Sequence, residues 1–190
     1  MINDKLFESE DYVLTAIDYE KDPEIDSAYS LNLRYARYWR DGITRPFSKN
    51  EFKKKYEKIE KKVEDSNRVV HFAVRTKADQ HLIGFVRIHI MWNHAVGWLV
   101  VAIGHPEHSG KAEGQIFPLI MRFAFLELNL FRLEVDVPAY EDNLGTILEA
   151  NDFQRDAVNR GIIYHEHRYW DEYLYGILRH EWEALQEVNA

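Results

Sequence analysis

The sequence predicts an α/β protein with a mixed, twisted sheet flanked by helices, and three observations support this prediction. Short segments alternate apolar and polar residues, as strands do, while longer ones repeat apolar residues every three or four positions, as helices do. Of the 190 residues, 46% are apolar and 14% aromatic, which is enough to fill a core. The segments follow the order β-α-α-β-β-β-α-β-α-β-β-α, and such interleaving is typical of α/β sheets. No repeat or flexible linker divides the chain, so we expect one domain over residues 1–190.

The composition excludes several classes of function. The chain has no cysteine, which excludes a cysteine nucleophile, a zinc finger and an iron–sulfur cluster. With 24 Lys+Arg against 32 Asp+Glu, the formal charge of -8 argues against a general nucleic-acid surface and suits a small cationic partner. The N-terminus lacks a basic segment followed by an apolar run, and no stretch approaches the roughly 18 apolar residues of a membrane span. We therefore expect a cytoplasmic protein that binds neither nucleic acid nor membrane.

The first elements are a strand and a helix. Tyr12–Ile17 is rich in β-branched and aromatic residues and predicts a strand. Asp22 followed by Pro23 is typical of a helix N-cap and first turn, so we expect a helix from there to about Ala36. The helical spacing predicts that this helix buries four apolar residues: Ile25, Ala28, Leu31 and Tyr35.

The second helix has the clearest start signal. Ser48 and Glu51 form a capping box, and Phe47 and Phe52 occupy the two positions of a hydrophobic staple. An apolar stripe then recurs every three or four residues: Phe52, Tyr56, Ile59 and Val63. The other face carries seven lysines, which would suit nucleic acid, but the interleaved glutamates favour an ordinary solvated face.

Three strands follow in close order, at Val69–Arg75, Leu82–Met91 and Ala95–Ile103. The last is apolar throughout, which is typical of a central strand covered on both sides. A polar, glycine-bearing loop, Gly104–Gly114, leads into a helix at Gln115–Asn129 that is apolar nearly all round and therefore buried.

The remaining elements are shorter. Phe131–Val137 alternates cleanly and predicts a strand, and a short helix is expected at Asn143–Asn151. The aromatic-rich tail predicts two strands, at Arg160–His167 and Trp170–Ile177. A terminal helix is expected from about residue 179.

The loop after the central strand is the first candidate for chemistry. Glycines before a helix N-terminus allow backbone amides to approach and bind a phosphate, although strand-to-helix glycine loops are also common connectors. The loop is neither a Walker loop nor a dinucleotide fingerprint, because it lacks the required spacing.

Several segments together resemble the GNAT acyltransferase superfamily. The run Pro106–Gly114 is similar to its acetyl-CoA loop, which reads Gln/Arg-x-x-Gly-x-Gly/Ala, although Ser109 and Ala112 replace two of the usual residues. The buried helix, the following strand and Asn143 fall where that superfamily has them. The ending Trp170–Trp182 is similar to ribosomal-protein N-terminal and spermidine/spermine acetyltransferases. The resemblance extends from Tyr12 to about Trp182.

The resemblance implies acetyl-CoA as cosubstrate and N-acetylation of a primary amine, on a small cationic metabolite or a protein N-terminus. It implies an oxyanion contact from the central strand and cofactor contacts at Val101, Ala102, Ile103, Ser109, Gly110, Lys111, Ala112, Glu113, Gly114 and Asn143. Members often carry a tyrosine as general acid after the asparagine, but here Leu148 falls nearest that place. The altered loop and the absent tyrosine motivate an alternative, a non-catalytic protein of the same fold that binds a ligand or partner. Homodimers are frequent in this family, so a second copy is a candidate partner.

Two histidines are candidates for the general base. His94 lies at the entry to the central strand, and His89 follows Arg87 on one face of the preceding strand. A pKa near 6.5 suits a histidine to proton abstraction, but a surface or hydrogen-bonded role is the common alternative. Tyr35, Tyr38 and Trp39 form an aromatic cluster that either packs between helices or, as the resemblance implies, forms the wall of an acceptor site for a cationic amine.

We predict no metal site. The two histidine pairs, His105 with His108 and His165 with His167, each lack a matching second pair of ligands.

Overall fold

A computed structural model describes residues 5–39 and 42–188. The seven strands are β1 (Tyr12–Thr15), β2 (Val69–Thr76), β3 (Leu82–Met91), β4 (Val96–Ile103), β5 (Arg132–Pro138), β6 (Gln154–His165) and β7 (Arg168–Leu178). The helices are α1 (Asp22–Tyr29), α2 (Leu33–Arg37), α3 (Lys49–Ser66), α4 (Lys111–Arg122), α5 (Asp142–Ala150) and α6 (Arg179–Val188). A 3-10 turn, Pro106–His108, precedes α4, and a π turn, Phe123–Glu127, follows it.

All seven strands form one mixed sheet in the order β1-β2-β3-β4-β5-β7-β6. Neighbouring strands are antiparallel except β4 and β5, which are parallel and joined by α4. The parallel pair is matched over only three residues, from Val96 opposite Arg132 to Trp98 opposite Glu134. Beyond Trp98 the two strands separate, and within the described residues β4 has no partner strand on that side over residues 99–103.

Helices cover the sheet on both faces. One core cluster, which includes Leu99 and Val101 of β4, packs against α4 and α5. A second cluster, which includes Ala102 of β4, packs against α2 and α3. The prediction of a central strand covered on both sides is therefore confirmed, as is the α/β fold class with a mixed sheet.

The start of α3 follows the sequence prediction. The Ser48 hydroxyl accepts the N–H of Glu51 at 3.3 Å, and the Glu51 side chain accepts the N–H of Ser48 at 2.9 Å. The rings of Phe47 and Phe52 lie 5.7 Å apart, as a hydrophobic staple requires.

The prediction of one helix from Asp22 to Ala36 is wrong, because the chain forms two. α1 ends at Tyr29, and α2 starts three residues after Ser30, where the Asn32 side chain accepts the N–H of Arg34 at 2.9 Å. The N-cap of α1 is Lys21 rather than Asp22. The Ser30 hydroxyl donates to the carbonyl of Ser27 and accepts the N–H of Phe47. It therefore links the turn between α1 and α2 to the segment that precedes α3.

The buried face of α1 also differs from the prediction. Leu31 is 73% exposed, whereas Asp22 and Asp26 are buried. Asp22 accepts two hydrogen bonds from Arg75, and Asp26 accepts hydrogen bonds from tyrosine hydroxyls. Burial of these carboxyl groups is possible because Arg75 balances the charge of Asp22 and the tyrosine hydroxyls satisfy the oxygens of Asp26.

The helix after β4 begins four residues earlier than predicted, at Lys111 instead of Gln115. Gly110 has φ +87°, a left-handed conformation that glycine adopts without strain and that leads the chain directly into the helix. Pro118 lies inside α4, where its missing N–H leaves one helical hydrogen bond to the carbonyl of Gly114 unmade. At the other end of the chain, β6 begins at Gln154, six residues before its predicted start.

None of the helices described in residues 5–39 and 42–188 combines the length and apolarity needed to cross a membrane.

Candidate active site

Where β4 and β5 separate, a cleft of about 690 Å³ lies at the end of β4, between that strand and the helices. We call this the main cleft. Its floor is the end of β4, residues 101–104, and α2 and the start of α5 form its walls. Ser109, in the loop before α4, and Glu113, in the first turn of α4, close one end. The backbone at the end of β4 therefore faces a cavity of the size that ligand sites normally have.

Two glycines shape the loop at this end. A side chain at Gly104 would collide with the ring of Tyr29, because a Cβ at this position would lie 2.5 Å from the nearest ring atoms, so α1 packs directly onto the exit of β4. A Cβ at Gly110 would lie 3.1 Å from the side-chain nitrogen of Asn143. The loop and α5 thus approach each other closely at Gly110.

A buried carboxylate links the two walls of the main cleft. Glu141, which precedes α5, is 3% exposed, and Arg34 of α2 binds it through two nitrogens at 3.1 and 3.2 Å. The Tyr38 hydroxyl donates to the same carboxylate at 3.0 Å. This carboxylate holds α2 against the start of α5, over the gap between β4 and β5.

A side cavity of about 210 Å³ adjoins the main cleft, since Tyr38, Val101 and Leu144 line both. Two carboxylates, Asp136 of β5 and Glu172 of β7, line the side cavity together with one cation, Arg37. Asp136 is partly exposed, and its partial desolvation, followed by the charges of Glu172 and Glu134, raises its pKa. A cationic group is the ligand that such carboxylates favour.

The residues that the family resemblance assigned to the cofactor divide into two groups. Those that line the main cleft are Val101, Ala102, Ile103, Ser109, Glu113 and Asn143. The others are Gly110, beside Asn143; Lys111, an exposed residue paired with Asp11 at 2.8 Å; Ala112, buried; and Gly114, in the first turns of α4. Their contacts with acetyl-CoA stay predictions.

The three aromatic residues predicted for the acceptor site lie in different surroundings. Tyr38 lines both cavities. Tyr35 lines the main cleft, but its hydroxyl donates to Asp26 at 2.6 Å. Trp39 is 3% exposed and packs against Phe85 at 4.4 Å between ring centroids, so its contacts match the packing alternative.

The structure does not bring the two histidine candidates to the main cleft. His94 is exposed in the turn before β4, and Val96 and Val101 are about 17 Å apart along that strand. His89 pairs with Trp98 and lines a different groove, and Trp98 lies between that groove and the side cavity. Burial and the charge of Arg87 lower the pKa of His89. A catalytic role for either histidine remains only a prediction.

Sequence reasoning missed four charged residues of this region: Arg34, Glu141, Asp136 and Glu172. The sequence pattern could have indicated the position of Asp136, because this residue alternates with the buried residues of β5 and must lie on the opposite face of the sheet. No sequence pattern indicates the role of Glu141, because its partner Arg34 lies 107 residues away along the chain. Across residues 5–39 and 42–188, no group of three or more His, Asp or Glu side chains is arranged to hold a metal ion.

Comparisons with known proteins agree with this architecture. No family model matches the sequence, and no curated protein matches it significantly. A chimera of the spermidine N-acetyltransferase from Vibrio cholerae and hSSAT superimposes with a TM-score of 0.75 at 22% identity, covering 90% of this chain and 98% of that one. The Vibrio cholerae spermidine N-acetyltransferase in complex with CoA and spermine superimposes with a TM-score of 0.74 at 22% identity, covering 90% of this chain and 98% of that one. A GNAT-family acetyltransferase from Bacillus anthracis superimposes with a TM-score of 0.74 at 18% identity, covering 92% of this chain and 99% of that one. The chain therefore has the fold of the GNAT acetyltransferases, as its sequence predicted.

Proposed function

We propose that the protein is an acetyl-CoA-dependent N-acetyltransferase that acts on a primary amine. The observation that carries the proposal is the edge of β4 over residues 99–103, which no other strand of the described residues covers and whose last three residues line a cleft of about 690 Å³. The solved structure of similar fold from Vibrio cholerae, in complex with CoA and spermine, supports the same type of reaction.

The main cleft offers acetyl-CoA the backbone groups that its thioester and diphosphate require. An extended ligand can accept N–H groups on the β5 side of β4 beyond Trp98, where no strand within residues 5–39 and 42–188 competes for them, and the loop before α4 can direct amides at a diphosphate. Acetyl-CoA supplies an acetyl group activated as a thioester. Backbone N–H groups of Val101–Ile103 are the donors for the negative charge that develops on the carbonyl oxygen.

The side cavity is our candidate for the amine site. It adjoins the main cleft and presents two carboxylates, Asp136 and Glu172, against one cation, Arg37, beside the rings of Tyr38 and Trp98. Carboxylates and aromatic faces both attract an ammonium group. This surface favours a small metabolite that carries several ammonium groups over a protein N-terminus, which carries one.

Asp136 is our candidate for the general base. The acceptor must lose a proton before its nitrogen attacks, and a carboxylate whose pKa is raised is a better acceptor for that proton. The N–C bond then forms and the C–S bond breaks. The nitrogen releases its second proton to solvent, and the thiolate takes a proton from solvent. Leu148 cannot supply that proton, because its side chain is apolar and buried in the core.

The non-catalytic alternative is also supported by one observation. The carboxylate of Glu113 lies at the N-terminus of α4 and accepts the N–H of Gly110 at 2.6 Å, so an anion of the chain itself already uses that donor. A protein that had lost acetyl-CoA binding could keep such a contact.

Two measurements separate these functions. Calorimetry with acetyl-CoA measures binding, and release of the CoA thiol measures transfer to a panel of amines that includes spermidine, a diamine and a peptide with a free N-terminus. Binding followed by thiol release with the polycationic amines supports the proposed function. Binding without transfer to any amine, or no binding, favours the non-catalytic protein.

The variant Asp136→Asn tests the base. We expect kcat/KM to fall by about 100-fold, because a positioned base contributes that much, while the affinity for acetyl-CoA stays within about twofold. Asp65→Asn, which changes an exposed carboxylate of α3, is the matched control and should retain full activity. Equal activity of the two variants would eliminate Asp136 as the base.

A further inference from the structure

The amides at the start of α4 already bind an anion, and that anion belongs to the chain itself. The Glu113 side chain turns back along its own helix, and its carboxylate accepts the N–H of Gly110 at 2.6 Å as well as its own backbone N–H. A helix N-terminus favours a negative charge because its first N–H groups lack helical partners. The Glu113 carboxylate therefore lies where an external phosphate would bind.

Glu113 lies inside the main cleft rather than on the surface. It is 8% exposed and lines the cleft together with Ser109 and Asn143. Burial raises the pKa of its carboxyl, even though the two backbone N–H groups favour the charged form. A diphosphate entering at this loop would compete with Glu113 for the same donors and would be repelled by its charge.

The other charges that face Glu113 do not remove this conflict. Arg34 of α2 is already bound by Glu141, which lines the same cleft. Lys111, the neighbouring cation of the loop, pairs with Asp11. The local charge of the cleft therefore opposes a second anion as long as Glu113 stays in place.

We propose that Glu113 is an internal competitor of the cosubstrate, so that a diphosphate binds only after the Glu113 carboxylate has left the amides of the α4 N-terminus. The inference rests on the proposed function, which takes this loop as the diphosphate site. No covalent bond is made or broken, because the diphosphate only replaces the Glu113 carboxylate as the acceptor of these hydrogen bonds. Glu113 thus lowers the affinity for acetyl-CoA without contact with the acetyl group, and it is not a catalytic residue.

The test is a calorimetric titration of acetyl-CoA into four proteins: wild type, Glu113→Gln, Glu113→Ala and Glu107→Gln. Glutamine keeps an acceptor for the Gly110 N–H but removes the charge, while alanine removes both. Glu107 is exposed in the 3-10 turn of the same loop, so its variant changes the net charge equally and is the matched control. We expect affinity to rise about tenfold in Glu113→Gln and more in Glu113→Ala, and less than about twofold in Glu107→Gln.

The outcomes distinguish this inference from the proposed function. If wild type binds acetyl-CoA and neither Glu113 variant binds it more tightly, the competitor role is refuted and the proposed function stands. If none of the four proteins binds acetyl-CoA, both proposals fail. Binding that is detectable only in the Glu113 variants supports the competitor role. Glu113→Gln, which retains the hydrogen bond to Gly110, provides the comparison if Glu113→Ala does not fold.

Discussion

Asp26 makes the stability of this protein depend on pH in a direction that can be measured. It is 2% exposed on α1, and the hydroxyls of Tyr35 and Tyr56 donate to its two oxygens. Burial raises its pKa from 3.8 to about 7, although both hydrogen bonds favour the charged form. The folded protein therefore holds a proton on Asp26 over a range in which the unfolded chain has released it.

The sign and size of the effect follow from these two pKa values. Because the folded pKa lies above the unfolded one, the contribution of Asp26 to stability is fully present below about pH 4 and is lost as the pH rises through about 7. Between pH 5 and pH 8 the loss is about 3 kcal/mol. Asp26→Asn removes the titration but keeps a neutral side chain between the two hydroxyls.

Urea unfolding followed by tryptophan fluorescence, at pH 5 and at pH 8, measures this difference. We expect wild type to lose about 3 kcal/mol more than Asp26→Asn between the two pH values. Asp65→Asn, the exposed control on α3, should follow wild type. If the unfolding free energies of wild type and Asp26→Asn change equally between pH 5 and pH 8, burial does not hold the Asp26 carboxyl neutral.

Two further predictions concern the elements around the site. Arg75→Met leaves the fully buried Asp22 without its cation and should lower the unfolding free energy by about 3–5 kcal/mol; a loss below about 1 kcal/mol in urea unfolding would contradict a buried ion pair. Gly110→Ala places a Cβ at φ +87° and should cost roughly 1–2 kcal/mol, whereas Gly114→Ala, with open space around the new Cβ inside a helix, should stabilise by about 0.5–1 kcal/mol. Equal effects of the two alanines in thermal unfolding would show that backbone strain at Gly110 is absent.

Local patterns in the sequence were enough to predict most elements of the fold. The period of two in β3 and β5, and the capping box of α3, depend only on residues a few positions apart. The sequence prediction starts α4 too late because it places Gly114 in the loop. A helix tolerates an isolated glycine in its first turns, and the chain turns into α4 at Gly110, which has a positive φ.

The sequence predicted consecutive residues of the candidate site, and the family resemblance added Tyr35, Tyr38 and Asn143, which also line the main cleft. The end of β4 and the loop that follows line the main cleft through Val101–Ile103 and Ser109, close to their predicted positions. The side cavity was not predicted, because Asp136 and Glu172 come together only when β5 pairs with β7. The histidines predicted as bases lie away from the main cleft.

The amino-acid sequence by itself determined the order and kind of the secondary structure apart from the break between α1 and α2, because caps and hydrophobic periods act over a few residues. The tertiary structure alone decided which charges are buried and which face the cleft. Asp22 is satisfied by Arg75 53 residues away, Asp26 by Tyr56 30 residues away and Glu141 by Arg34 107 residues away. Desolvation and ion pairing depend on distance in space, so no local pattern along the chain reports them.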